Sequence, residues 1–115
     1  MKRGDVFLGV LEPRSGSEQG GTRPVILVSH DSFNQAARWR SVIVVPVTTS
    51  DSTATRRSTA IPLAAGDGGL DMDSVAICHQ VTTLSREKLI RRLGALGAVS
   101  IARIERGLRA ALDLD

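Results

Sequence analysis

Residues 41–48 read Ser-Val-Ile-Val-Val-Pro-Val-Thr, and residues 24–29 read Pro-Val-Ile-Leu-Val-Ser. Runs this rich in β-branched residues predict strands. Pro46 has no backbone N–H to give to a ladder, which predicts a sheet edge or a bulge there. Working outward, residues 5–11 (Asp-Val-Phe-Leu-Gly-Val-Leu) predict a first strand, apolar on both faces. Residues 58–63 predict a fourth strand, 74–84 a fifth and 91–96 a short sixth. Loops separate them: 12–22 holds one proline, three glycines and two serines, and 64–73 holds three glycines and three aspartates. The 49–57 loop is polar and closes with Arg56 and Arg57. Residues 30–40 are polar and irregular, with a short helical turn expected after Asp31. After residue 100 the period changes. Ile101, Ile104, Leu108 and Leu112 share one helical face, with Ser100 as the expected N-cap. Short strands closed by one helix predict a single domain over 1–115, mainly β, with an antiparallel barrel-like sheet and a C-terminal α-helix.

Composition narrows the function classes. A chain of 115 residues buries one modest core, so association would help its stability. No apolar run reaches the length of a membrane span, and Met1–Asp5 lacks the apolar centre of a signal peptide. A cytoplasmic protein is the expectation. A single cysteine, Cys78, excludes an internal disulfide and a cysteine-built zinc site, and two histidines are few for a metal centre. No metal or cofactor is expected. The net charge is +3, and the whole surplus lies in residues 1–60, with 8 basic and 5 acidic groups. Thirteen of the 15 basic residues are arginine, whose planar fork suits phosphate. Aromatics are scarce (Phe7, Phe33, Trp39), too few to stack several bases.

The notable cluster is Gly16-Ser17-Glu18-Gln19-Gly20-Gly21-Thr22-Arg23-Pro24. A loop there delivers a carboxylate, an amide and a guanidinium to the start of a buried strand, a common way to build a site. Arg23 either receives an anion or pairs with Glu18 or Asp31 and braces the loop. Thr48 and Thr49 are at home at a strand end. Gln80 is unusual among Ile77, Val81 and Leu84: it caps a ladder or faces a ligand. On a regular strand His79 and Gln80 would point to opposite faces. His30 directly follows a strand and could titrate near neutrality. The arginines of the terminal helix are expected to be solvated.

Taken in order, these segments are familiar. Arg3-Gly4-Asp5-Val6-Phe7, Gly16 to Val25, Val28-Ser29-His30-Asp31 with Phe33-Asn34, Val45-Pro46-Val47-Thr48, Ser74-Val75 with Gln80, and Arg92-Leu93-Gly94 resemble the MazF/PemK family of bacterial toxins. The resemblance spans nearly the whole chain, and Glu18-Gln19-Gly20-Gly21 leading to Arg23-Pro24-Val25 is its most specific part. It implies a small half-open barrel with a terminal helix, shared with the CcdB gyrase poison. It implies a homodimeric, metal-independent endoribonuclease that cuts single-stranded RNA, chiefly mRNA, by attack of the 2′-OH. The products would carry a 2′,3′-cyclic phosphate and a 5′-OH, and translation and growth would stop. A cognate MazE-like antitoxin would lay an acidic tail over the RNA site. By the same resemblance Arg23 and Thr48 match the catalytic pair, and Ser17, Glu18 and Gln80 lie near the RNA. The 14–22 loop with Gln19 and the 49–57 loop with Thr49 and Arg56 would flank the cleft. Arg38, Arg40, Arg56 and Arg57 are candidates for backbone contact.

Two positions depart from the family pattern. Phe7 stands where Trp or Tyr is usual, and His30 where asparagine is frequent, which makes His30 a candidate for RNA contact. Two other readings remain. A CcdB-like gyrase poison relies on a tryptophan near the C-terminus, whereas this chain ends Leu112-Asp113-Leu114-Asp115 and has only Trp39. A non-catalytic RNA-binding module would hold RNA without cutting it.

Overall fold

The computed structural model describes residues 1–11, 20–49 and 58–115. Among these residues seven strands form one sheet: β1 (Asp5–Leu11), β2 (Gly21–Leu27), β3 (Ser41–Thr48), β4 (Ala60–Leu63), β5 (Ser74–Ile77), β6 (Thr82–Ser85) and β7 (Leu89–Ala95). A one-turn helix α1 (Asp31–Asn34) follows β2, and α2 (Ala98–Leu112) ends the chain. The order is β4-β5-β3-β2-β1-β7, with β6 also paired to β3, and every pairing is antiparallel. The two ends of this path do not pair with each other, so the sheet curls as a half-open barrel.

β3 is the central strand, and it explains why its sequence is apolar throughout. Its odd residues Val45 and Val47 join the larger core with Val6, Ile26 and Ala76, which α2 covers through Ile104, Ile101 and Leu108. Its even residues Val42 and Val44 join a second core on the opposite face, with Leu11, Val25, Leu27 and Leu84. Pro46 is therefore not at an edge. It is buried and sits opposite Val25 of β2. On its other side β3 pairs with β6 as far as Val44 and with β5 only from Val47. Pro46 falls in the gap, where no ladder partner asks for its missing N–H.

The expected fifth strand is split for the same reason. β5 stops at Ile77, a 3-10 turn of Cys78–Gln80 follows, and β6 resumes at Thr82. His79 and Gln80 thus lie on a turn rather than on alternate faces of one strand. β7 starts two residues earlier than expected, at Leu89, and β2 three earlier, at Gly21, so Arg23 and Pro24 lie inside a strand.

The terminal helix also starts earlier. Its N-cap is Gly97, and Ser100 lies within the first turn. The capping oxygens come from elsewhere: Asp67 Oδ1 accepts the Gly97 N–H (3.0 Å) and Oδ2 accepts the Ser100 hydroxyl (2.5 Å). A carboxylate there satisfies one orphan backbone donor, the Gly97 N–H, and favours the positive end of the helix dipole. The turn that presents Asp67 packs on β7 so closely that Gly94 can carry no side chain: a Cβ would lie 2.7 Å from the Gly68 carbonyl carbon. α2 approaches the Cys78–Gln80 turn equally closely at Gly107, where a Cβ would lie 2.7 Å from Cys78 Sγ.

Candidate active site

The β2–β3 register runs Leu27 opposite Val44, Ile26 opposite Val45 and Val25 opposite Pro46. Continued by two residues, it sets Arg23 against Thr48. Both then face the side of the sheet that carries Val25 and Val44, away from α2. Arg23 is half-buried. Its Nε donates to the Gly20 carbonyl (2.9 Å) and its Nη1 to the Val47 carbonyl (3.4 Å), the residue next to Thr48. Among the described residues the other three N–H bonds of the fork have no acceptor. A guanidinium held at its neck, with outer donors that no described residue takes, suits bidentate contact with a phosphate or carboxylate. Bracing of the loop through Asp31 is overturned. The Asp31 carboxylate accepts from the Arg3 backbone N–H (2.7 Å) and Asn34 Nδ2 (3.0 Å) instead.

Both long loops root at this end of the sheet. Gly20 and Gly21 bring the first loop back beside Arg23, and Thr49, exposed, starts the second directly after Thr48. Ser17, Glu18, Gln19, Arg56 and Arg57 lie outside the described residues. Gln80 sits on the turn that bridges the gap beside Pro46, half-exposed and along the same stretch of β3. His79 is exposed next to it, 3.3 Å from Thr59 Oγ1.

His30 is not brought to this end. From Arg23 to Leu27 alone the strand covers about 13 Å, and His30 lies three residues further on. Its ring caps α1, with Nδ1 3.0 Å from the Ser32 N–H and 2.9 Å from the Ser32 hydroxyl. The segment around it is structural. Buried Asn34 donates to the Ser29 carbonyl (2.7 Å), accepts from the Ser29 hydroxyl (2.5 Å), and the Ser29 oxygen accepts the Ile43 N–H (3.2 Å). Phe7 packs against the second core. At the N-terminus the buried Asp5 carboxylate accepts from the Lys2 N–H (2.9 Å) and from Arg92 Nη2 (3.3 Å). The Arg3–Phe7, Val28–Asn34 and Arg92–Gly94 motif segments therefore hold the frame.

Sequence reasoning missed Arg86. It lies in a polar Ser-Arg-Glu-Lys stretch that reads as ordinary surface. Its guanidinium donates to the carbonyls of Trp39 (2.8 Å), Asn34 (2.9 Å), Phe33 (3.0 Å) and Ala36 (3.3 Å). No spacing rule in the sequence links residue 86 to 33–39. Among the described residues, no three His, Cys, Asp or Glu side chains are grouped as a metal site would require. No helix among them is long and apolar enough to cross a membrane.

A half-open antiparallel barrel closed by a terminal helix is the fold of a known class of small toxins. The model of the PemK-like, MazF-like toxins of type II toxin–antitoxin systems matches residues 2–112, and the chain belongs to that family. Endoribonuclease MazF of Staphylococcus epidermidis is 30% identical over 115 residues, spanning all of this chain and 93% of that one. Among solved structures, MazF of Deinococcus radiodurans superposes with a TM-score of 0.81 at 22% identity, over 99% of this chain and 97% of that one. The Mycobacterium tuberculosis toxin MazF-mt6 gives 0.78 at 24% identity, over 96% and 98%. A mycobacterial endoribonuclease in complex with its cognate antitoxin gives 0.77 at 23% identity, over 100% and 97%. These structural likenesses concern the fold.

Proposed function

We propose that this MazF-like toxin endoribonuclease cuts single-stranded RNA without a metal, using Arg23 and Thr48 as its catalytic pair. The observation that carries the reading is Arg23, fixed by the Gly20 and Val47 carbonyls and set by strand register across from Thr48 where both loops root. The substrate 2′-OH attacks phosphorus, the P–O5′ bond breaks, and the leaving oxygen takes a proton. The products are a 2′,3′-cyclic phosphate and a 5′-OH. Arg23 stabilises the charge that builds on the phosphorane oxygens, a task suited to fixed donors. Thr48 hydrogen-bonds a non-bridging oxygen or the 2′-OH and holds it in line. Arginine holds its proton too tightly to act as the base, so Glu18 is the better proton carrier. Ser17, Gln19, Thr49, Arg56 and Gln80 are the further RNA-contact residues of this reading. His30 lies beyond the far end of β2 and has no part in the proton transfers.

The chain works as a homodimer in the cytoplasm, where mRNA is available. Its inhibitor is a cognate acidic antitoxin, as the complex of the mycobacterial neighbour suggests, because a basic groove attracts acidic chains as it attracts RNA. The test is cleavage of a long single-stranded RNA in EDTA, with the 3′ ends of the fragments assayed for cyclic phosphate. Discrete fragments with cyclic ends are expected. Intact RNA with a well-folded protein would overturn the nuclease reading and direct the next assay to gyrase. Bound but uncut RNA would leave a binding module.

A further inference from the structure

We propose that the Phe33–Trp39 ring pair is a second RNA-binding subsite that stacks one unpaired base at the end of the sheet opposite Arg23 and Thr48. The inference rests on the RNA-cutting reading above and adds a place where the strand is held away from the cut. Two of the chain's three aromatic residues meet at the surface, with ring centroids 4.8 Å apart and planes inclined by 34°. They are far from buried: Phe33 is 39% and Trp39 48% exposed. A small domain that leaves its only tryptophan half in water forgoes burial that would stabilise it.

The pair is also held in place. One side chain, Arg86, donates to the main-chain carbonyls of both ring-bearing residues, Phe33 and Trp39, and to those of Asn34 and Ala36 between them. The Trp39 N–H closes the turn on the Ala36 carbonyl (2.9 Å). Four carbonyls on one guanidinium fix the rings before any ligand arrives, which lowers the ordering cost of binding. Arg38 and Arg40, both exposed, flank Trp39 in the chain. Beside the pair an open pocket of about 260 Å³ is lined by Ala37, Arg40, Ser85, Arg86 and Glu87. Glu87 is the one acid on that wall, and the nearby Asp31 carboxylate already accepts from Arg3 and Asn34. The local charge is thus net positive. Aromatic rings interleaved with arginines are the chemistry that holds single-stranded nucleic acid: every base has a face to stack, and every phosphate a charge to meet. β3 joins the two places. Arg40 precedes its first residue and Thr48 ends it, a span of about 26 Å. A strand anchored at both ends would be presented in extension to the catalytic pair.

Trp39 supplies its own readout as the single tryptophan. The probe is a long single-stranded RNA with 2′-O-methyl groups throughout, which removes the nucleophile and prevents cleavage. Its binding is followed by Trp39 emission and, independently, by anisotropy of a dye on the RNA. The expected result is saturable quenching of Trp39 with the same midpoint as anisotropy. Trp39→Leu should weaken binding about tenfold, as loss of one stacked base does. Replacing Arg38 and Arg40 by Gln should reduce the log–log salt slope by about 0.7 for each phosphate that is no longer neutralised. On unmodified long RNA, Trp39→Leu should raise KM with kcat preserved. RNA that binds and is cut while Trp39 emission stays flat would overturn the subsite alone. RNA neither bound nor cut would overturn the nuclease reading with it. A Trp39→Leu protein that changes from dimer to monomer in sedimentation would overturn the subsite in favour of an interface between copies. Quenching by polyglutamate but not by RNA would overturn it in favour of an acidic protein partner.

Discussion

Replacing Arg23 by alanine and by lysine separates its two contributions. The side chain makes one good hydrogen bond, Nε to Gly20 at 2.9 Å, and one long one, Nη1 to Val47 at 3.4 Å. Counting these as a single effective bond from a charged donor, alanine costs about 1.5 kcal/mol of stability. That is a fall in Tm of roughly 5–10 °C for a domain of this size, so both variants remain folded well below the transition. The effect on chemistry is larger. Removing one fixed donor from a developing oxyanion typically costs about 3 kcal/mol. Arg23→Ala should therefore lower the single-turnover cleavage rate at least about 100-fold. Arg23→Lys keeps the charge but loses the fork and the Nε bond that aims it. Its rate should fall between wild type and alanine, and closer to alanine if geometry matters more than charge. The assay is cleavage of a long RNA in EDTA with protein in excess, at a temperature checked against each variant's own melting curve. A folded Arg23→Ala protein cutting within about tenfold of wild type would remove Arg23 from the transition state and with it the mechanism.

Four further outcomes follow from the geometry. Thr48→Val keeps the shape of the β3 end and should lower the cleavage rate, whereas Thr48→Ser should retain most of it; equal losses in both would show that the hydroxyl is not used. Asp67→Ala removes the carboxylate that caps α2 and should cost about 1–2 kcal/mol in urea unfolding, with no change in the m-value. Gly94→Ala places a Cβ against the backbone of Gly68 and Gly69; a cost of about 3 kcal/mol or more is expected, and a change under about 0.5 kcal/mol would mean that the turn shifts freely. Burial pushes the Cys78 thiol from 9.0 up to about 11. Its folded-state value is raised, so the native protein holds the proton while the unfolded chain releases it. Stability attributable to Cys78 is present below pH 9 and falls between 9 and 11, by at most about 3 kcal/mol; Cys78→Ala should flatten that alkaline limb in denaturant titrations.

How far the fold was legible follows from the range of the forces involved. Strand existence is local, and every expected strand is present within a few residues, because runs such as Val42–Val45 are apolar on both faces by composition alone. Pairing partners are not local. Pro46 reads as an edge or bulge residue by its own chemistry, and it lies in the centre at a break in the ladder, because β3 changes partner from β6 to β5 at that point. The same exchange turned Cys78–Gln80 from strand into a 3-10 turn. Ser100 has the right side chain for an N-cap, but Asp67, 30 residues before Gly97, supplies the oxygens. For the site, the chain order of Arg23 and Thr48 was visible through the family resemblance. Their setting on one face required the register between β2 and β3. His30 was drawn into the site reading by its chemistry and excluded from that end by strand length.

That register gives the site its logic. Residues 25, 27, 42 and 44 are packed into the second core, which stops the two strands from sliding. A slip of either strand by one residue would turn that strand's core side chains onto the opposite face. It would also turn Arg23 and Thr48 away from each other, so the core that prevents the slip is the same device that keeps the pair aligned. The Val47 carbonyl extends the argument to hydrogen bonding. Val47 points its side chain into the larger core beneath α2, while its carbonyl receives Arg23. Packing under the helix and aim of the guanidinium are therefore coupled through one residue. A cavity made on the α2 side, as in Ile104→Ala, acts on cleavage only as far as it lets Val47 move. Its cost should appear as lost stability of about 2–5 kcal/mol, with a loss in cleavage rate much smaller than that of Arg23→Ala.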